Sequence, residues 1–328
     1  MSNPPIQPVP HPKILIALCS YNGGRWLGGQ LDSIAAQSGV DWALWISDDG
    51  SSDDSRAVIA GFQARHPARD IRLIEGPRQG GTQNFLSLIC HPDLPLGPQT
   101  YLALADQDDI WLPHKLARAL QVLRAQPDAD RPLIYGAQSR HIDESGREIG
   151  QSRRPRGAVS LRNAVVQNMV SGHSLVLNPQ ALALARAAGR PRGVGFQDWW
   201  LSLLVLACGG RAVVDETEVL LYRQHDGNVM GAPQGGAAVW RRLAQLRTGT
   251  YRGWIAANLA GLGAVEPRLT PEARQIIARL GEAQHGLAPH GLKRHGLKRL
   301  QAYRALGIAR QSRAGSIALY LSVLFGWA

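Results

Sequence analysis

Apolar runs and amphipathic segments alternate along the first third of the chain. The apolar runs at 13–18 and 101–105 have the pattern of buried strands, and the segments at 42–47 and 71–75 are two further predicted strands. Between them apolar residues recur at helical spacing, as Leu27, Leu31 and Ile34 do after the first run. This alternation predicts βαβ units, and therefore an α/β fold with a mostly parallel sheet flanked by helices.

The pattern becomes more varied after Lys115. Apolar segments at 133–142 and 148–149 predict a hairpin. The other expected elements are strands at 174–177, 213–214 and 219–222 and helices at 180–188 and 198–208. A Gly/Pro-rich stretch at 227–236 predicts a domain boundary. The expected organisation is a disordered lead-in at 1–12, an α/β domain at 13–232 and a basic helical region at 233–328.

Polar clusters follow the four predicted strands of the first third. They lie at 20–24, 48–52, 80–84 and 106–109. The carboxyl ends of parallel strands meet at one edge of a sheet, and ligands bind beyond that edge. We therefore expect these four clusters to line a single site.

The cluster after the fourth strand crowds three carboxylates into four residues, Asp106, Asp108 and Asp109. Two carboxylates about 4 Å apart repel by roughly 1 kcal/mol in water and roughly 4 kcal/mol at the edge of a protein. Oxygen ligands of this kind favour Mg²⁺ or Mn²⁺, which in turn favour phosphate oxygens. The alternative interpretation is a solvated acidic loop or the acidic start of a helix.

Three other polar positions each have a structural and a functional interpretation. Asp48 and Asp49 are typical of an Asx turn that caps the next helix, or of carboxylates that accept hydrogen bonds from a nucleoside. Tyr21 is either a core aromatic or a ring stacked on a base. Asp198 is either a helix N-cap or a general base, because burial beside Trp199 and Trp200 would raise its pKa.

Composition indicates a globular protein of a reducing compartment. The chain is 45% apolar and 19% charged, and its three cysteines are scattered among apolar segments, as buried free thiols are. No secretory signal is visible, and the longest apolar stretch, 317–328, is shorter than the about 20 residues that span a bilayer. We expect a cytoplasmic protein.

Charge is distributed unevenly along the chain. Residues 1–240 contain 22 Lys+Arg and 22 Asp+Glu, whereas residues 241–328 contain 14 and 3. This basic tail, with its apolar end, predicts peripheral attachment to the anionic inner face of the cell membrane. The alternative is that the apolar end packs back on the α/β domain. Nucleic acid is not expected, because no recognised binding motif accompanies the charge.

Seven motifs in order resemble glycosyltransferase family 2, whose members are inverting enzymes of the Rossmann-like GT-A fold. They are the segments 20–23, 30–34, 48–51, 84–85, 106–111, 198–200 and 222–225. The resemblance runs from Lys13 to about Gly231. The Asp-Gln-Asp-Asp-Ile-Trp and Tyr-Arg-Gln-His forms are similar to the rhamnosyltransferase branch of this family.

The resemblance implies a role for each matching residue. The nucleotide and donor sugar would be held by Ser20, Tyr21, Asn22, Asp48, Asp49, Asn84, Asp106 and Arg223. A divalent cation, Mg²⁺ or Mn²⁺, would be bound by Asp108, with His225 as a second ligand, and Asp198 would be the catalytic base. Two positions depart from the family pattern: Gln197 before the base, and the loop at 80–83.

The expected enzyme is therefore a nucleotide-sugar-dependent hexosyltransferase. It would move L-rhamnose from dTDP-rhamnose to a growing, lipid-linked bacterial surface glycan. One alternative is a metal-dependent nucleotidyltransferase, although the first loop carries only Arg25 where a basic triphosphate loop is expected. The other is a non-catalytic glycan- or membrane-binding protein, against which the intact Asp108 and Asp198 argue.

Overall fold

The computed structural model describes residues 13–152, 154–155, 157–225, 248–284 and 292–327. The predicted lead-in at 1–12 and the predicted boundary at 227–236 lie outside these residues. The position of the domain boundary therefore stays a prediction.

The first third of the chain forms the predicted parallel sheet. Its strands are β1 (Lys13–Ser20), β2 (Asp41–Asp48), β3 (Ile71–Glu75) and β4 (Thr100–Ala105), in the order β3-β2-β1-β4. The flanking helices are α1 (Gly24–Ala35), α2 (Ser55–Arg65), α3 (Gly81–Ile89) and α4 (Lys115–Arg124). Ser20 pairs with Asp48, and Leu18 with Ala105, so the carboxyl ends of β1, β2 and β4 are level.

The second part of the sheet is mixed. It consists of β5 (Ile110–Trp111), β6 (Leu133–Ile142), β7 (Glu148–Gln151), β8 (Val176–Leu177) and β9 (Arg211–Arg223), and the order continues from β4 as β8-β6-β9-β5. The predicted hairpin is β6 with β7, which pairs with it off this path. Helices α5 (Leu161–Ala164), α6 (Pro179–Ala188) and α7 (Gln197–Ala207) and a 3-10 turn (Gly172–Ser174) complete this part. The α/β class is confirmed.

Two predicted strands, at 213–214 and 219–222, are one long strand, β9. The polar residues 215–218 interrupt the apolar pattern, but tertiary contacts hold them in the strand. The carboxylate of Asp215 accepts hydrogen bonds from Arg118 Nε at 2.7 Å and from the Tyr135 hydroxyl at 3.1 Å. The pairing register with β6 shifts between Gly136 and Ser139, where the strand passes this polar segment.

The C-terminal part consists of helices, as predicted. These are α8 (Thr250–Gly261), α9 (Pro271–Gln284), α10 (Leu292–Ala305) and α11 (Arg313–Leu324), with a 3-10 segment (Leu262–Arg268) between α8 and α9. Their buried apolar side chains, including Ile255, Leu319 and Val323, belong to the same hydrophobic cluster as Trp199 and Trp200 of α7. Among the described residues, the helices are all too short or too polar to cross a membrane.

Candidate active site

The loops after β1 and β4 are joined by Gln107. Its Oε1 accepts hydrogen bonds from the Tyr21 amide at 2.8 Å and from Ser20 Oγ at 3.2 Å. Its Nε2 donates to the Tyr21 carbonyl at 3.1 Å. A Cβ at Gly23 would lie 2.2 Å from Gln107 Oε1, so a larger residue there would displace this side chain from the Tyr21 loop. Gln107, to which the sequence assigned no role, thus holds the first loop against the carboxylate cluster.

The side chains of Asp48 and Asp49 are engaged within the protein. Asp48 Oδ1 accepts from Ser51 Oγ at 2.5 Å, and its Oδ2 accepts from Arg56 Nε at 2.7 Å. Asp49 Oδ1 accepts from the Arg78 amide at 2.6 Å, and its Oδ2 accepts from the Gly80 amide at 2.8 Å. Both residues are buried. Asp48 therefore holds the turn through Ser51 but does not cap α2, whose N-cap is Asp54, while Asp49 shapes the loop before α3.

An open cleft of about 600 Å³ lies next to this pair of aspartates. Its lining residues are Gly50, Ser51, Arg56, Glu75, Gly76 and Arg78. The loop that Asp49 holds supplies Arg78, whose backbone has a φ of 56°. Asp49 therefore shapes one wall of the cleft through the backbone.

The other residues predicted to hold the nucleotide differ in accessibility. Tyr21 is 58% exposed, which rules out the core interpretation for its ring. Asn22, at a φ of 48°, accepts the Ser52 amide on its Oδ1 at 2.8 Å. Asn84 is buried; its Oδ1 accepts from Ser47 Oγ at 2.5 Å and its Nδ2 donates to the Ser47 carbonyl at 3.0 Å. In this structure Asn84 joins α3 to β2.

The three carboxylates after β4 are not a solvated acidic loop. Burial, followed by the charges of Asp108 and Asp198, raises the pKa of Asp106 to about 7. Asp109 is 1% exposed, and burial with the charges of Asp108 and Asp106 raises its pKa well above the usual range. Because charged carboxylates are costly to bury, this cluster requires positive charge nearby.

Lys115 supplies positive charge from inside the protein. It is fully buried, its Nζ donates to the His173 carbonyl at 2.5 Å, and the same atom lies 3.6 Å from the centroid of the Trp111 ring. Burial lowers the pKa of Lys115 to about 7, against the opposing effect of Asp109 and Asp106. The sequence prediction missed this residue, although a crowded acidic cluster with a lysine six positions later was a usable signal.

Asp108 and His225 meet across 117 positions of sequence. His225 Nε2 lies 2.8 Å from Asp108 Oδ2, and both side chains are largely buried. The imidazole also stacks on Trp26, with ring centroids 6.1 Å apart. The tertiary structure thus brings together the two residues that the resemblance implied as metal ligands.

Arg223 contacts both Asp108 and Trp26, the ring on which His225 stacks. Its Nε donates to the Asp108 carbonyl at 3.2 Å, and its guanidinium carbon lies 4.4 Å from the centroid of the Trp26 ring. Its Nη1 donates to the Asp143 carbonyl at 3.2 Å. These contacts join the hairpin, α1 and the loop after β4. Contact between Arg223 and a diphosphate stays a prediction.

The donor atoms of Asp108 and His225 fit a divalent cation that is shared with a ligand. Carboxylate oxygen suits both Mg²⁺ and Mn²⁺, and imidazole nitrogen is a common ligand of metal ions in proteins. Within the described part of the chain, no group of three or more His, Cys, Asp or Glu side chains is arranged to hold a metal. A cation here would take its other ligands from water and from the bound molecule, as Mg²⁺ does with phosphates.

Asp198 lies in the first turn of α7, close to the carboxylate cluster. The N-cap is Phe196, so the capping interpretation is wrong. Asp198 Oδ2 accepts from the Gly172 amide and Oδ1 from the Trp199 amide, both at 2.8 Å. Burial raises its pKa, although hydrogen bonds, of which that from Asn168 is the largest influence, lower it in part.

Gly172 was also missed by sequence analysis. A Cβ at this position would lie 3.3 Å from Asp198 Oδ2, which is a tight contact, and the amide that holds the carboxylate belongs to the same residue. The next residue, His173, supplies the carbonyl that accepts from Lys115. The 3-10 turn therefore contacts both Asp198 and Lys115, the buried lysine beside the acidic cluster.

Sequence comparisons relate the chain to glycosyltransferases. Residues 15–173 match the family described as Glycosyl transferase family 2. The chain is 26% identical over 254 residues to the dTDP-rhamnosyl transferase RfbG of Shigella flexneri, covering 72% of this chain and 81% of that protein. This similarity favours a glycosyltransferase over the nucleotidyltransferase and the non-catalytic binding protein considered as alternatives.

Solved structures share the fold. The mannosyltransferase PcManGT of Pyrobaculum calidifontis, in complex with GDP-Man and Mn²⁺, matches with a TM-score of 0.52 and 19% identity, covering 91% of this chain and 86% of that one. S. aureus TarS 1-349, in complex with UDP-GlcNAc, matches with a TM-score of 0.54 and 13% identity, covering 95% and 90%. These likenesses confirm the predicted fold class.

Proposed function

We propose that this chain, whose residues 15–173 match the family described as Glycosyl transferase family 2, is an inverting, metal-dependent enzyme that uses dTDP-L-rhamnose. The acceptor is a hydroxyl of a growing bacterial surface glycan on a lipid carrier. The observation that carries this proposal is the contact between Asp108 and His225 beside Asp106, a carboxyl whose pKa is raised by the charges of both Asp108 and Asp198. The similarity to a dTDP-rhamnosyl transferase supports the choice of donor.

The nucleoside lies in the cleft beside β2 and β3 in this proposal. Tyr21 is exposed at the rim of the neighbouring loop and presents a ring on which a base can stack. Asp48 and Asp49 act mainly through the backbone that they hold, because their oxygens are already hydrogen-bonded. Ser20 and Asn22 position the Tyr21 loop, through Gln107 and Ser52 respectively. Asn84 helps to fix the cleft by holding α3 against β2 through its two hydrogen bonds with Ser47.

The leaving diphosphate lies against Asp106, Asp108 and His225. Asp108 and His225 would hold Mn²⁺ or Mg²⁺, and such an ion supplies Lewis-acid stabilisation of the negative charge on the departing oxygens. Arg223 holds Asp108 and His225 close together, through its hydrogen bond to the Asp108 carbonyl and its contact with the Trp26 ring. Lys115 limits the repulsion between the buried carboxylates before the donor binds.

Asp198 is the general base in this mechanism. The acceptor hydroxyl must lose its proton as its oxygen attacks the anomeric carbon, and a carboxylate with a raised pKa is the better acceptor near neutrality. The amides of Gly172 and Trp199 fix its orientation. One displacement, with the base and the leaving group on opposite faces of the sugar, inverts the anomeric centre.

The proposal is tested by donor selection followed by product analysis. Thermal shift and calorimetry are run with dTDP-rhamnose, UDP-glucose, UDP-GlcNAc and GDP-mannose, each with Mn²⁺, with Mg²⁺ and with chelator. We expect dTDP-rhamnose to bind most tightly and only with a metal ion. NMR of the product should show the inverted anomeric configuration. Tighter binding of another donor would refute the choice of rhamnose, and retention of configuration would refute the mechanism.

The acceptor is tested separately from the donor. Transfer is compared between a lipid-diphosphate-linked glycan in detergent and the same glycan released from its lipid. We expect faster transfer to the lipid-linked form, since the basic C-terminal part favours an anionic carrier on the inner face of the membrane. Equal rates would show that the lipid is not recognised.

A further inference from the structure

Helix α11 leaves one apolar face uncovered by the described residues. Ile317, Leu321 and Phe325 follow one another at intervals of four positions, which places them on one side of the helix. Their exposed fractions are 61%, 51% and 57%. Leu297 of α10 is 52% exposed as well. These four are among the seven large apolar side chains that are exposed in the described part of the chain, and Leu297 directly follows Gly296, which lies against the Leu324 carbonyl of α11. We call these four residues the α10–α11 face.

The opposite side of α11 is anchored to the protein. Leu319 and Val323 are 3% and 0% exposed and belong to the main hydrophobic cluster. A Cβ at Gly296 of α10 would lie 2.0 Å from the Leu324 carbonyl oxygen, so the two helices pack too closely for any larger residue. Arg252 Nη1 donates to the Gly326 carbonyl at 3.1 Å. The exposed side is therefore held outward by a packed helix.

The charged side chains of the segment that carries this face have one sign. Residues 292–327 contain seven basic residues and no Asp or Glu. The basic residues are Lys293, Arg294, Lys298, Arg299, Arg304, Arg310 and Arg313. Lys298, Arg304 and Arg313 are exposed, and Arg313 precedes Ile317 by one helical turn. An apolar stripe bordered by basic side chains suits an anionic lipid interface, where the apolar side enters the acyl boundary and the cations meet headgroups.

A second copy of this chain fits the face less well. A symmetric contact would bring the two sets of arginine and lysine together, and like charges across an interface are unfavourable. Charge complementarity therefore favours an anionic partner.

We propose that the α10–α11 face binds the surface of an anionic phospholipid bilayer, with α11 lying in the plane of the interface. This inference deepens the proposed function, since it names the surface by which a transferase with a lipid-linked acceptor reaches the membrane. It also unites two alternatives of the sequence analysis. One side of the apolar terminal segment packs on the protein, and the other side contacts lipid.

Co-sedimentation with vesicles tests the inference on the full chain. The vesicles contain phosphatidylcholine with or without phosphatidylglycerol. A triple variant, Ile317→Ser with Leu321→Ser and Phe325→Ser, is compared with a control, Leu96→Ser with Ile149→Ser, which changes exposed apolar residues elsewhere. We expect the triple variant to bind anionic vesicles at least about tenfold more weakly, and the control to bind as the parent does. Equal binding of the triple variant and the parent would overturn the inference.

A charge variant examines the basic border independently. Lys298→Glu with Arg304→Glu and Arg313→Glu should abolish the preference for vesicles that contain phosphatidylglycerol. Added salt should likewise weaken the binding of the parent to these vesicles. Light scattering reports the oligomeric state of all variants. A parent dimer that the triple variant converts to monomer, with vesicle binding unchanged, would identify a second copy as the occupant and overturn the inference.

Sugar transfer to a water-soluble acceptor separates this inference from the proposed function. The triple variant should keep the transfer rate of the parent, because its substitutions lie outside the active site. A parent that binds vesicles but transfers no sugar from any donor would refute the proposed function alone. A parent that transfers sugar but does not bind anionic vesicles would refute the membrane face alone.

Discussion

Two pairs of adjacent aspartates lie at or just beyond the ends of strands of the same sheet, and the protein uses them differently. Asp48 and Asp49, after β2, have their carboxylates satisfied by Ser51, Arg56 and backbone amides of the chain. Asp108 and Asp109, in the loop after β4, lie with Asp106 in a buried cluster that carries excess negative charge.

This difference separates a structural carboxylate from one that is available to a ligand. Every buried polar group needs a partner, and a group whose partners are all internal has little capacity left for a substrate. Both carboxylate oxygens of Asp49 accept hydrogen bonds from backbone amides, those of Arg78 and Gly80. Asp108 has an imidazole at 2.8 Å, a partner that can equally share a cation with it. The hydrogen-bond partners of their carboxylates thus distinguish the two Asp-Asp motifs, which look alike in the sequence.

The largest effect is expected at Asp198, the acidic residue of α7 beside the second pair. Asp198→Asn keeps the size of the side chain but removes the proton acceptor. We expect transfer to fall by about 10²–10⁴-fold, with donor affinity unchanged. Single-turnover transfer and calorimetry measure the two quantities. Near-normal turnover would show that another group is the base.

The contrast between the two aspartate pairs is tested most directly by Asp108→Ala and Asp49→Asn. Loss of Asp108 should abolish metal-dependent binding of the nucleotide sugar, because the remaining imidazole is a poor site alone. Asp49→Asn should instead lower the free energy of unfolding by about 1–3 kcal/mol, since one amide of the loop loses its acceptor, and should preserve metal dependence. Calorimetry with Mn²⁺ and denaturant unfolding measure these effects. Metal-dependent binding that survives in Asp108→Ala would refute the ligand role.

Lys115 is the internal counter-charge of the cluster that contains the second pair, so its removal should destabilise that cluster and leave Asp48 and Asp49 unaffected. Lys115→Met is expected to lower the free energy of unfolding by about 3–5 kcal/mol, because it leaves buried carboxylates uncompensated. Asp109→Asn in the same chain should recover part of this loss. Chemical denaturation of the single and double variants completes the cycle, and additive effects would show that the two residues do not interact.

The pH dependence of transfer is the mildest test. Burial raises the pKa of Asp198, and the base must be deprotonated to act. Activity should therefore decrease as the pH falls through this pKa, by about tenfold per pH unit below it, and the midpoint should lie above the about 3.9 of an ordinary aspartate. Rate–pH profiles of the metal-saturated enzyme measure the midpoint. A midpoint at or below the ordinary value would contradict the effect of burial.

The sequence by itself determined the α/β class, the four parallel strands and the helices between them, because apolar periodicity reports local burial directly. It also predicted that Asp108, Asp198 and His225 share a site. It did not anticipate that 215–218 continue a strand, since Arg118 and Tyr135 hold Asp215 there.

Only the tertiary structure decided how each polar group is used. The partners of Asp49, the burial of Asn84 and the position of Lys115 depend on residues tens of positions away, and local patterns carry no information on such contacts. The same holds for the apolar end of the chain. Its composition predicted either packing on the protein or contact with a membrane. Helix α11 has one side for each, because the helical period of 3.6 residues places every second residue on nearly opposite faces.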